Sequence, residues 1–215
     1  EALVAMPRNN HTERNVLKAL SKGMTARRAF ETVDQSAVRF FISAAQSAVF
    51  NHVLDARLAE GLLSGVRVGD IAMTESRGIF RIDEAAAADP ETARRLAGFE
   101  LSPTGPMWGT SMLRAEGKTA EIEREMLTRF GLQESDLERF EAEHGDWIEG
   151  ARRPVRIAVT NIEYEGGIDE HGEYIRVAFD LPRGSFATVV MDEIIKSGAA
   201  DAGEDRVEMN DEPGR

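Results

Sequence analysis

Apolar residues return at helical spacing through residues 38–63, where Phe41, Ala45, Ala48, Val49, His52, Val53 and Ala56 recur on one side. This predicts a long helix whose end is bracketed by Gly61 and Gly65. Upstream, Val16, Leu17 and Leu20 follow Thr12 and Glu13, the pattern of a short basic amphipathic helix capped by Thr12 and stopped at Gly23. Alternation at Val66, Val68 and Ile71, with turn signals at Gly69-Asp70 and Gly78, predicts short strands of a small sheet over residues 66–80. Residues 83–96 read as helical, with Asp89 capping a start at Pro90, and residues 101–109, Leu-Ser-Pro-Thr-Gly-Pro-Met-Trp-Gly, read as a loop.

Residues 118–130 and 135–143 interleave carboxylates with Ile122, Met126, Leu127, Phe130, Leu137 and Phe140. Two surface helices separated by Gly131 follow, the second opened by the capping-box spacing of Ser135 and Glu138. Residues 155–160 and 174–179 alternate on either side of Gly166-Gly167 and Asp169-Glu170-His171-Gly172, which predicts two antiparallel strands. Ser185 is then a natural N-cap for a last helix running to about Lys196.

Composition narrows the class. With 42% hydrophobic and 30% charged residues in 215, the chain can bury a core as one large domain or two small ones. It has no cysteine, which removes disulfides and thiolate metal sites and suits a reducing compartment. No run approaches the roughly 18 apolar residues of a membrane span, and no basic n-region precedes an apolar stretch, so the reading is cytoplasmic and soluble. The opening residues, Glu1 to Met6, carry no cap, turn or targeting signal, and the expected start of the native protein lies upstream.

The net charge of -12 argues, as a sum, against nucleic acid, because phosphate binding needs local cations. Its distribution changes that picture. Arg8, Arg14, Lys18, Lys22, Arg27 and Arg28 make the first segment basic, whereas Asp201, Glu204, Asp205, Glu208, Asp211 and Glu212 predict an acidic disordered tail.

Candidate chemistry is sparse. His11, His52, His144 and His171 are scattered, so a metal site has no ligand set, and no phosphate-cradling glycine loop or nucleophile elbow is present. Glu121, Glu123 and Glu125, like Glu141 and Glu143, fall at helical spacing among apolar residues and read as solvated faces. Arg152-Arg153 before Pro154 reads equally as a phosphate clamp or as a surface pair at a strand start. Ser43, Ser47 and Asn51 form a polar stripe on an apolar helix, and such a stripe either satisfies buried backbone groups or lines a site; the structural role is the expectation.

The same helix supplies a stronger signal. Arg39-Phe40-Phe41-Ile42-Ser43-Ala44-Ala45-Gln46-Ser47-Ala48-Val49-Phe50-Asn51, followed by Arg57, resembles the R-x-x-x-x-A-x-Q-S-x-x-F-N signature of the TruD family of tRNA pseudouridine synthases. Other blocks match in order. His11 to Leu20 resembles the family's E-R-x-V-L-x-x-L helix; Gly105-Pro106-Met107-Trp108-Gly109 and Arg152-Arg153-Pro154 come after the signature; Leu181 to Thr188 resembles L-P-x-G-S-[YF]-A-T.

The resemblance implies an α+β chain, part of a pseudouridine-synthase fold of mixed sheet and helices plus the inserted domain of this family. It assigns residues 1–35 to the catalytic domain, 36–153 to the insertion, 154–198 to a return to the catalytic domain through a hairpin and helix, and 199–215 to the acidic tail. The implied activity is isomerisation of a tRNA uridine, at position 13, to pseudouridine, with tRNA as partner, no cofactor, no metal, no membrane and a monomeric state. The family's catalytic Asp lies in a G-x-K-D-like block upstream of the signature helix, and neither that block nor the N-Y-F-G-x-Q-R-F-G-like block is present. Asp34 and Asp55 stand in other contexts, so the role is transferred to neither, and this chain alone is expected to be inactive. Arg39, Gln46, Asn51, Arg152, Arg153, Arg183 and Ser185 are the residues expected to contact RNA or wall the active site. The alternative is a non-catalytic RNA-binding or assembly module derived from the family.

Overall fold

The computed structural model describes residues 5–145 and 147–195, and the chain divides into two compact units between Arg156 and Ile157. The predicted acidic tail and the end of the last predicted helix, at Lys196, lie outside the described residues.

The first unit opens with helix α1, His11–Ser21. Its cap is Asn10 rather than Thr12, because the turn closed by Asn10 N–H on the Pro7 carbonyl delivers Asn10 O to Arg14 N–H and leaves Thr12 inside the helix. Gly23 follows at φ +83, the left-handed stop that glycine adopts freely. Helix α2, Ala26–Phe30, is too short to show a period in the sequence; Thr25 Oγ1 accepts its Arg28 N–H at 3.4 Å. Helix α3, Gln35–Ala59, is the long predicted helix, begun earlier than the apolar period because Asp34 caps it. Asp34 Oδ1 accepts Ser36 N–H at 3.0 Å and Oδ2 accepts Ser36 Oγ–H at 2.6 Å.

Beyond α3 lies an antiparallel sheet of order β2-β1-β3-β4, formed by β1 Ile71–Thr74, β2 Ile79–Arg81, β3 Leu101–Met107 and β4 Ala151–Pro154. Val66 and Val68 precede β1 instead of belonging to it. The predicted loop over 101–109 is corrected: Leu-Ser-Pro-Thr-Gly-Pro-Met is a central, almost wholly buried strand. Its prolines are tolerated because residues 101–103 pair with β1 and residues 104–107 with β4. Each half has one ladder partner, so a proline's missing N–H removes at most one bond.

Residues 83–97 form two helices, α4 Glu84–Ala88 and α5 Pro90–Ala97, because Asp89 before proline is held extended at ψ 121. Helices α6 Gly117–Arg129 and α7 Glu134–His144 follow. The predicted cap at Ser135 is displaced: Gln133 is the cap, its N–H donated to Asp136 Oδ2 at 2.9 Å. Val49 and Val53 of α3 pack with Trp108, Met112, Met126, Leu127, Leu137 and Ile148 into one core, while Ala72, Ile82, Leu96 and Leu101 form a second around the sheet.

In the second unit, β5 Thr160–Asp169 and β6 Gly172–Asp180 form an antiparallel hairpin, followed by α8 Ala187–Ile195. The first predicted strand, over residues 155–160, is displaced: β5 begins at Thr160 and runs on to a turn at Glu170-His171, where Asp169 Oδ1 accepts His171 N–H at 2.8 Å. Gly166-Gly167 therefore lies within β5, where the Tyr174 ring occupies the space of an absent side chain at Gly167. Helix α8 starts at Ala187, so Ser185 precedes the cap position.

Two glycines far apart in sequence fix the end of the sheet. A Cβ on Gly109 would lie 2.2 Å from Gly150 N, and one on Gly150 would lie 2.6 Å from the Gly109 backbone. Gly109→Ala is expected to cost about 3 kcal/mol in urea denaturation, whereas Gly98→Ala, where an added Cβ meets only ordinary contacts, changes stability by less than about 0.5 kcal/mol.

Candidate nucleic-acid interface

Arg39, Gln46 and Phe50 lie seven and eleven residues apart on α3, which brings all three to one face over about 16 Å of helix. That face meets the β3–β4 end of the sheet. Gln46 Nε2 donates to Trp108 O at 2.7 Å, and the Phe50 ring lies where a Cβ on Gly105 would be, 2.8 Å away. The Arg39 guanidinium sits 5.8 Å from the Trp147 ring centre and that of Arg153 sits 5.4 Å from Phe50. Both are within cation–π range.

Two clefts open beside this seam. An apolar cleft of about 460 Å³ between α3, α6 and α7 is lined by core residues including Ile42, Val49, Leu132 and Phe140. A more polar, open pocket of about 410 Å³ is lined by Arg39, Gln46, Met107, Trp147, Glu149, Gly150 and Ala151.

The two seam arginines differ from most arginines of the unit in their partners. Most arginines of the first unit are tied to carboxylates, among them Arg81 to Glu116, Arg114 to Glu134 and Arg139 to Asp136. Arg94 lies between Glu91 and Glu100, and its side-chain hydrogen bonds hold both carboxyls below their ordinary range. Among the described residues no carboxylate pairs with Arg39 or Arg153. At the start of α3, the hydrogen bonds from Ser36 hold the Asp34 carboxyl below its ordinary value, so the cap stays ionised and keeps its bonds at neutral pH.

The expected site residues separate. Arg39 and Asn51 are exposed, Gln46 and Arg153 half-buried, and all four belong to the first unit; Arg183 and Ser185 belong to the second. Arg152, expected to contact RNA or wall the active site, is buried within the first unit and spends its guanidinium on the frame. Its side chain has no exposure, its Nη1 and Nη2 donate to Glu123 at 3.0 and 2.7 Å, and its Nε and Nη2 donate to Thr104 Oγ1 and O at 3.0 Å each. Arg57 behaves likewise, donating to both Asp70 oxygens at 3.0 Å, while Thr119 Oγ1 donates to Asp70 at 2.6 Å. Of the polar residues on this helix, Gln46 has the expected structural role of satisfying a backbone carbonyl, while Ser43 and Asn51 are exposed and Ser47 is half-buried. Trp147 was not legible as a site residue, since nothing in its sequence surroundings distinguishes it from a core tryptophan. No group of three or more histidine and carboxylate side chains suited to a metal, and no helix long and apolar enough to cross a membrane, occurs among the described residues.

Comparisons with known proteins agree with the blocks read from the sequence. The family model described as "tRNA pseudouridine synthase D (TruD)" matches residues 1–194. A tRNA pseudouridine synthase D from Geobacter sp. is 38% identical over 92% of this chain and 47% of its own length. One from Syntrophotalea carbinolica is 33% identical over 92% and 46%. A crystal structure of a Methanosarcina mazei protein assigned as tRNA pseudouridine synthase D superposes with a TM-score of 0.73 at 25% identity, covering 90% of this chain and 46% of that one. The chain thus spans about half the length of the relatives it matches.

Denaturation distinguishes frame from surface. Arg152→Ala leaves the Glu123 charge buried and is expected to cost about 3–5 kcal/mol, whereas Asn51→Ala stays within about 0.5 kcal/mol.

Proposed function

The chain belongs to the TruD family, and from that premise we propose that it forms the RNA-holding part of an enzyme that isomerises uridine, at position 13 of tRNA, to pseudouridine in the cytoplasm. The observation that carries this reading is the family match over residues 1–194 together with the placement of the matching blocks. The signature helix and the Gly105–Gly109 block meet along one seam, with Gln46 on Trp108 and Phe50 on Gly105.

Isomerisation breaks an N-glycosidic bond and rejoins the base through carbon, after the base has left its stack. The carboxylate that the family uses for this is in a block this sequence does not contain. The duties left to these residues are to hold phosphates, to stack on unpaired bases and to exclude water. Arg39, Asn51 and Arg153 supply polar and cationic groups on the first unit, and Arg183 and Ser185 do so on the second. Residues 36–153 are the insertion, and the division between Arg156 and Ile157 supports a return to the catalytic domain close to residue 154. The working state is a monomer without cofactor or metal.

Pseudouridine formation on an unmodified tRNA transcript tests this. The 215-residue chain is expected to be inactive, and a version extended upstream to include an Asp-containing block active. Retained tRNA binding without activity in either version favours the non-catalytic RNA-binding module instead.

A further inference from the structure

Outside the buried frame, the open pocket at the α3–β4 seam brings together groups that the reaction does not account for. Trp147 offers a half-buried indole, with the Arg39 guanidinium carbon 5.8 Å from the ring centre. Gln46 lines the pocket from the same helix face with its Nε2 donated to Trp108 O at 2.7 Å, a bond that uses one of its two amide hydrogens and neither lone pair of its oxygen. Glu149 lines the same pocket with an exposed side chain; its main-chain carbonyl, not its carboxylate, accepts Ser111 N–H, at 2.9 Å. The pocket therefore combines a ring face, a cation beside it, an amide and a carboxylate.

We infer that this pocket takes one unpaired nucleobase bearing an exocyclic amino group, adenine, cytosine or guanine, at a position other than the uridine that reacts. The inference rests on the proposed RNA-binding function. A flat base stacks on an indole or a guanidinium plane, and the Arg39 charge suits the attached phosphate. An ionised carboxylate only accepts hydrogen bonds, so Glu149 favours an exocyclic amino group over uracil, whose one donor on that edge, N3–H, lies between two carbonyl oxygens that the carboxylate repels. A cationic amine would be repelled by Arg39, and the bases of a duplex are not free to enter.

The test titrates the 215-residue chain with short single-stranded oligomers of A, C and U at one fixed ionic strength, reading tryptophan fluorescence and affinity. The A and C oligomers are expected to quench fluorescence and to bind about tenfold tighter than the U oligomer, and Trp147→Ala to remove the quench and about tenfold in affinity. Arg39→Ala weakens all three oligomers, while Glu149→Gln retains binding and brings the A-to-U ratio towards one. Arg39 and Glu149 are exposed, so their variants remain informative even where Trp147→Ala fails to fold. Equal affinity for A and U oligomers, or a quench that persists in Trp147→Ala, overturns the inference. Activity on tRNA by the upstream-extended chain, with no Trp147 quench, overturns the pocket and leaves the enzymatic reading intact. A Trp147-dependent quench without activity in the extended chain sustains the pocket and removes that reading.

Discussion

A guanidinium shut away from water has to be met by acceptors, and Arg152 is met by four hydrogen bonds from two residues, Glu123 and Thr104. The Thr104 hydroxyl in turn donates to Ile71 O at 2.7 Å. One buried charge pair thereby links β4, β3, β1 and α6. Neutral side chains could pack the same volume, but they would not fix which strand lies against which helix with the same directionality. Arg57, Asp70 and Thr119 repeat the arrangement between α3, the approach to β1 and α6. The placement of α3 over the sheet, and hence the seam, depends on these pairs.

This division of labour leaves cations without carboxylate partners on a chain of net charge -12. Arg152 and Arg57 are consumed by the interior, and many exposed arginines are neutralised by neighbouring glutamates. Arg39 and Arg153 are instead supported by aromatic rings, Trp147 and Phe50, which attract a cation without cancelling its charge. Charge counted along the sequence hides this, because adjacent arginines at 152 and 153 point to opposite fates on opposite faces of an extended strand.

Much of the helical frame was legible because α1, α3, α6 and α7 carry apolar residues at helical spacing. The errors lie where local chemistry is ambiguous. Strand β3 reads as a loop because proline and glycine are the residues of turns, and only the pairing of its two halves with different neighbours makes them acceptable there. The caps at Asn10 and Gln133 were missed because competing residues, Thr12 and Ser135, stand inside the same helices. Within the site, the family resemblance pointed to Arg39, Gln46 and Arg153. The burial of Arg152 and the presence of Trp147 beside Arg39 depend on tertiary placement that no local pattern encodes.

The contact between Gly109 and Gly150 bears on how the seam can vary. With main chain against main chain at one end of the pocket, its width there is set by covalent geometry and not by rotamers. Neighbouring side chains can change the chemistry of the pocket wall without opening or closing it. The two glycines act as a hard stop, so divergence along this seam is confined to chemistry and leaves its calibre fixed.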